Sequence, residues 1–232
     1  MNTRSAVFLG NLLALNLMIS MAYGDIITTT VEATFDAGLT SLGLTNVTNQ
    51  EFDTTAAGTL IANGSSLGGI TFGGLPVGAG VDDDFVTTSG LNYLGIVPGG
   101  TFTAASFTFS FAPTNAFSMK IITSNKPPTL SNDDFTLSAG GQSVNLNVAD
   151  STLVFGFPPF SSESYFFGII NTDASFTSAT FTLNGTDTLN FFIDDLQIAG
   201  VPEPSVAVLV GLMLLAIPFR RGRMVRRGDR RK

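Results

Sequence analysis

The sequence predicts an all-β protein, an antiparallel β-sandwich of jelly-roll-like character. Three observations predict it: apolar residues recur at period two, turn-forming residues punctuate the runs at short intervals, and no long helical stripe is present. The 232 residues include 25 Gly and 21 Phe but no Cys, His or Trp. Without Cys there is no disulfide frame, thiol nucleophile or thiolate metal site. Without His there is no imidazole base and no Ser-His-Asp triad. Only carboxylates, hydroxyls and a few Lys remain for any chemistry, and the expectation is a protein that is not an enzyme.

The first segment is an address. Arg4 precedes an apolar stretch over residues 6–21, followed by small residues at Ser20-Met21-Ala22 and Ala22-Tyr23-Gly24. A basic start, a short apolar helix and a small-residue exit make a signal peptide over residues 1–24, for the Sec translocon and signal peptidase, with cleavage after Ala22 or Gly24. A core helix in this place would need an amphipathic stripe, and none is visible.

Residues 25–200 are long enough for one domain with a substantial core. They hold two Lys, Lys120 and Lys126, against sixteen Asp and Glu, a net charge of −14. Such a surface repels nucleic acid and anionic lipid. Phe107, Phe109 and Phe111 alternate with Thr108 and Ser110; Phe117, Met119 and Ile121 alternate with Ser118 and Lys120. Val144, Leu146 and Val148 do so with Asn145 and Asn147, and Phe181 and Leu183 continue the style. Each alternation predicts an antiparallel strand with one buried and one wet face. Asn63-Gly64, Gly68-Gly69, Pro98-Gly99-Gly100, Gly140-Gly141 and Asn184-Gly185 mark turns between them. Residues 134–138 and 143–148 read as a hairpin. The Gly-rich span 58–80 reads as a long loop with one strand at residues 70–72.

Paired acids recur at Asp83-Asp84-Phe85, Asp133-Asp134-Phe135 and Asp194-Asp195-Leu196. Two uses stay open: Asp pairs open strands because Asp favours turns, or they supply hard oxygen ligands for a cation such as calcium.

The last segment, residues 201–232, begins Val201-Pro202-Glu203-Pro204-Ser205. The prolines bar helix through the triplet, and Ser205 suits the N-cap of the apolar run over residues 206–219. Fourteen residues at ~1.5 Å each give a helix of about 21 Å, short for a ~30 Å hydrocarbon core unless flanking arginines snorkel or the bilayer thins. Arg220, Arg221, Arg223, Arg226 and Arg227 lead a terminal cluster of seven Arg and a Lys, which holds that side in the cytoplasm.

Triplet, short transmembrane helix and arginine cluster, in this order, resemble the PEP-CTERM sorting signal. The resemblance covers about thirty residues and implies a Gram-negative bacterium with an exosortase, a membrane peptidase that processes the tail near Pro202, Glu203 and Pro204, and exopolysaccharide as a partner. It implies an exported protein, tethered to the inner membrane by its C-terminal helix and then placed at the cell surface or outside it, with a structural or adhesive role. Residues 25–200 are also similar to the sandwich domains of that family: residues 165–171 precede a strand at 178–183, and Phe192-Ile193-Asp194-Asp195-Leu196 forms a closing strand. Carbohydrate-binding jelly rolls place a structural calcium between an early acidic residue and the last strand, and by that analogy Glu51 or Asp53 would join Asp194 or Asp195. A calcium-dependent carbohydrate-binding module is therefore the alternative function, against which stand the absence of Trp and the presence of only Tyr93 and Tyr165 in the domain.

Overall fold

The structure, a computed structural model, describes residues 25–85, 87–102, 106–123, 130–157, 160–184 and 191–200. Residues 1–24, expected as a signal peptide, and residues 201–232, expected as a sorting tail, lie outside them. The chain divides into two units after Val201, and every described residue belongs to the first.

Among the described residues, fourteen strands build two antiparallel sheets. The strands are β1 (Ile26–Thr29), β2 (Asn46–Gln50), β3 (Ser66–Leu67), β4 (Ile70–Gly73), β5 (Ala79–Asp82), β6 (Tyr93–Ile96), β7 (Ser106–Thr114), β8 (Ala116–Thr123), β9 (Phe135–Ala139), β10 (Gln142–Asn145), β11 (Thr152–Phe157), β12 (Phe160–Asn171), β13 (Phe176–Leu183) and β14 (Phe191–Gly200). The larger sheet runs β1-β12-β8-β14-β6-β5, with β11 also on β12 and β2 also on β14; the smaller runs β10-β9-β13-β7-β4-β3. The all-β expectation stands in this form.

The alternating segments face as the period-two rule requires. Phe107 and Phe109 of β7, Phe117, Met119 and Ile121 of β8, Phe135 and Leu137 of β9 and Phe181 of β13 meet in one core between the sheets. Its rings pack edge-on or stacked, as Phe181 does on Phe135 and Phe167 at centroid distances of 5.3 and 5.5 Å. The β9–β10 hairpin turns on Gly140-Gly141, both at positive φ, 56° and 76°, the backbone that a two-residue turn needs and that glycine adopts freely.

Four local readings are corrected. The helix α1 (Glu32–Ser41) has no counterpart in the sequence reading. Its Thr and Gly residues dilute the apolar stripe, and what fixes it is burial of Phe35 and Leu39 against Ala116, Ile170 and Ala199, tertiary context outweighing propensity. The outer face of β8 is not wet: α1 covers Ala116, Tyr93 and Phe192 cover Ile122, and Ser118 and Ile122 are as buried as Phe117 and Met119. The span 58–80 carries β3 and the start of β5 besides β4. The run ending at Val148 leaves the strand after Asn145 and enters a short 3-10 turn, Val148–Asp150, capped by the Asn147 side chain on the Ala149 N–H.

Only one of the three Asp pairs opens a strand. Asp134 accepts from the Ser131 N–H at 2.6 Å just before β9. Asp83 and Asp84 instead follow β5, and Asp194 and Asp195 lie inside β14.

Candidate functional site

Asp194 and Asp195 sit where β14 departs from regular pairing. Ile193 pairs with Ile121 of β8 and Leu196 with Met119, so three steps along β14 match two along β8. One extra residue has entered: a β-bulge. Both Ile193 and Leu196 belong to the inter-sheet core, which leaves the two aspartates between them off that core. On its other edge β14 pairs with β6 at Ile193 and with β2 from Leu196 onward, and the donors that reach the two carboxylates come from the intervening loop. Thr88 donates both its N–H (2.6 Å) and its hydroxyl to Asp194 Oδ2. The Ser89 hydroxyl donates to Asp195 Oδ1 at 2.5 Å.

The same loop is held from its other flank by Asp53, whose Oδ1 accepts the N–H groups of Leu91 (2.7 Å) and Asn92 (2.9 Å). Asn92 Nδ2 in turn donates to the Thr55 carbonyl. Gly90 fits between because it has no side chain: a Cβ there would lie 1.6 Å from Asp53 Oδ2, and its φ is +55°. Asp53, Asp194 and Asp195 therefore act on one loop. Glu51 is exposed and lines the neighbouring groove with Asp195. Among Glu51, Asp53, Asp194 and Asp195, from which a calcium pair was expected, no three bring their oxygens within 4.8 Å of one another; among the described residues only Asp82, Asp83 and Asp84 do so.

Lys120 crosses the outer face to reach the bulge. Its Nζ lies 3.2 Å from Asp195 Oδ2 and 2.8 Å from Glu32 Oε1 at the start of α1, so one cation ties helix, β8 and β14 together. Burial alone would lower its pKa, but the hydrogen bond it donates to Glu32 and the charges of Asp195 and Glu32 outweigh it and the net shift is upward. In Asp194 the roles of burial and hydrogen bonding are reversed. Burial, then the neighbouring Asp195 charge, raise its carboxyl to about 7 against the partial offset of the Thr88 hydrogen bonds, and its Oδ1 has no hydrogen-bond partner. A carboxyl near neutrality suits acid–base work, yet Asp194 has no exposed surface and its bonded oxygen faces Thr88, so its shift belongs to the fold.

Beside the bulge runs a groove of about 180 Å³ lined by Asn49, Glu51, Ser89, Lys120, Phe166 and Gln197 among others. A second hollow of about 380 Å³ shares Glu32, Lys120 and Phe166 with it and extends past α1 to Asp150 and Ser151. Amides, hydroxyls and charges beside one half-buried ring make a surface for hydrogen-bonded recognition. Lys120, Thr88 and Ser89 were not singled out from the sequence. The one available signal was Lys120 itself, the single charge in its strand. Pro202, Glu203, Pro204, Arg220, Arg221, Arg223, Arg226 and Arg227 lie outside the described residues. No protein-family model matches the chain, and no curated protein matches it.

Proposed function

We propose that this is an exported envelope or matrix protein, carried through the Sec translocon and trimmed by signal peptidase. In this reading an exosortase then handles it through its PEP-CTERM tail, and the β domain has a non-catalytic, structural or adhesive role. The apolar segments at the two ends are the signal helix and the short membrane anchor of this reading. The observation that carries it is the position of the fold's end. The last described strand, β14, finishes at Gly200, two residues before the Pro202-Glu203-Pro204 triplet, so a cut at the triplet would leave every described strand whole. Co-expression with an exosortase, with mass spectrometry of the new C-terminus, tests this. Processing within a few residues of Pro202 is expected; an intact protein with both ends uncut in the cytosol refutes it.

A jelly-roll arrangement is the finer fold reading, supported by the way β12, β13 and β14 alternate between the larger and smaller sheets. The groove beside Lys120 favours a second functional reading, a carbohydrate-binding module, because Asn49, Gln197, Glu51 and Ser89 offer donors and acceptors around Phe166. Glycan-array binding that is lost in Gln197→Ala and Asn49→Ala supports it. Binding unaffected by both substitutions places the glycan elsewhere.

A further inference from the structure

The second acidic cluster lies away from the groove, where β5 ends. Asp82 is the last residue of β5 and pairs directly with Tyr93, the first residue of β6, so the two side chains share a face of the sheet. Asp82 is almost fully buried at 4% exposure. Its carboxylate is fixed by two backbone donors, the N–H of Asp83 (2.9 Å) and of Gly99 (2.5 Å). Asp83 and Asp84 are exposed beside it, and one oxygen from each of the three lies within 4.8 Å of the others. That separation fits a single ion with Ca–O bonds of ~2.3–2.6 Å, since two ligands on opposite sides of such an ion stand about 4.6–5.2 Å apart.

An acidic cluster alone is a common surface feature. What sets this one apart is Tyr93. Its ring is fully buried, packed on Phe192 at 4.3 Å and Phe85 at 5.9 Å between centroids, yet its hydroxyl makes no hydrogen bond. Tyr93 lies directly across from Asp82, and its ring leans over Gly95 against the 99–100 turn, the same turn on which the Asp82 and Asp84 carboxylates rest. A buried hydroxyl without a partner is unfavourable unless something occupies the space it faces. Nor does any described residue balance the charge. Lys120 is the one cation among the described residues, and it is bound to Glu32 and Asp195. With carboxylate and hydroxyl oxygens and no nitrogen or sulfur ligand, the donor set selects a hard dication.

We propose that Asp82, Asp83 and Asp84 form a calcium site whose coordination sphere the Tyr93 hydroxyl faces, distinct from Glu51, Asp53, Asp194 and Asp195. The ion would neutralise three converging charges and give the hydroxyl a partner, through direct contact or the ion's own water. It would also fasten the end of β5 to the 97–100 turn through Asp82.

The chain offers an unusually clean probe. It has no Trp and only Tyr23, Tyr93 and Tyr165 as phenols, so luminescence of terbium, a calcium surrogate, excited through tyrosine reports a tyrosine beside the ion. The full-length protein in mild detergent is titrated with terbium and then with calcium. Saturable tyrosine-excited emission that calcium displaces is expected. The emission should be lost in Asp83→Asn/Asp84→Asn, whose two exposed side chains leave the core untouched. In Tyr93→Phe the emission should fall at least tenfold while the calcium-induced rise in melting temperature persists. The proposal is overturned by absent emission, by emission that survives Asp83→Asn/Asp84→Asn or Tyr93→Phe, or by emission lost instead in Asp194→Asn/Asp195→Asn.

Discussion

Asp194→Asn tests how the bulge is held. The folded carboxyl titrates near 7, against an ordinary 3.8, because the fold buries it and sets Asp195 beside it. Between these values the folded chain keeps a proton that the unfolded chain has released, so stability falls as pH rises through this window. The rise corresponds to about 4 kcal/mol at 1.36 kcal/mol per pKa unit, an amount fully lost above pH ~7. Asparagine keeps the shape and an acceptor for Thr88 but cannot ionise. Its amide nitrogen would take the place of the unpartnered Oδ1, a cost of roughly 1–3 kcal/mol. The variant should therefore gain about 1–3 kcal/mol over the native protein near pH 8 and lose that advantage near pH 4. Urea unfolding of both proteins across this range measures the difference directly, and their common acidic surface cancels in it. Two stability curves that run parallel from acid to neutral pH would refute the reasoning, since the carboxyl would then be ionised in the fold at little cost.

Two further substitutions examine the elements around it. Lys120→Met leaves Asp195 without its cation and frees the start of α1, at a cost of about 1–2 kcal/mol, because Glu32 is half exposed and the buried-pair penalty is correspondingly reduced. Hydrogen exchange should quicken across Glu32–Ser41 first. The native protein should lose the same contribution only in alkali, since a Lys whose pKa is raised stabilises the fold fully below its unfolded value of ~10.4 and ceases to do so above its folded one. Gly90→Ala introduces a methyl group into the Asp53 carboxylate at positive φ, and a loss of about 2 kcal/mol or more is expected in chemical denaturation. An unchanged midpoint would mean that the Thr88–Asn92 loop is not held as described.

The strands carrying alternating Phe were legible before any coordinates because side chains on a pleated chain alternate by geometry, and Phe107, Phe109, Phe117 and Phe181 had only one apolar face to share. The Gly140-Gly141 turn was legible for a similar reason, since few residues accept its backbone. Helix α1 was not. Its apolar residues, Phe35 and Leu39, are too few to announce a stripe, and they matter only because Ile170 and Ala116 lie beneath them. The candidate site was half legible. Asp53, Asp194 and Asp195 drew attention as calcium ligands, whereas the structure shows them holding one loop, and no local pattern marks Thr88 or Ser89.

Sequence alone determined which segments alternate, where the chain turns, how acidic the domain is and what chemistry its residue types exclude, because these follow from each residue and its near neighbours. Tertiary structure decided the rest. A strict alternation along β14 would send one of Asp194 and Asp195 into the core; a single inserted residue, fixed by pairing with a strand some seventy positions earlier, keeps both out of it. The meeting of Asp82 with Tyr93 across two strands likewise depends on register, and register is a property of partners that no local stretch of sequence contains.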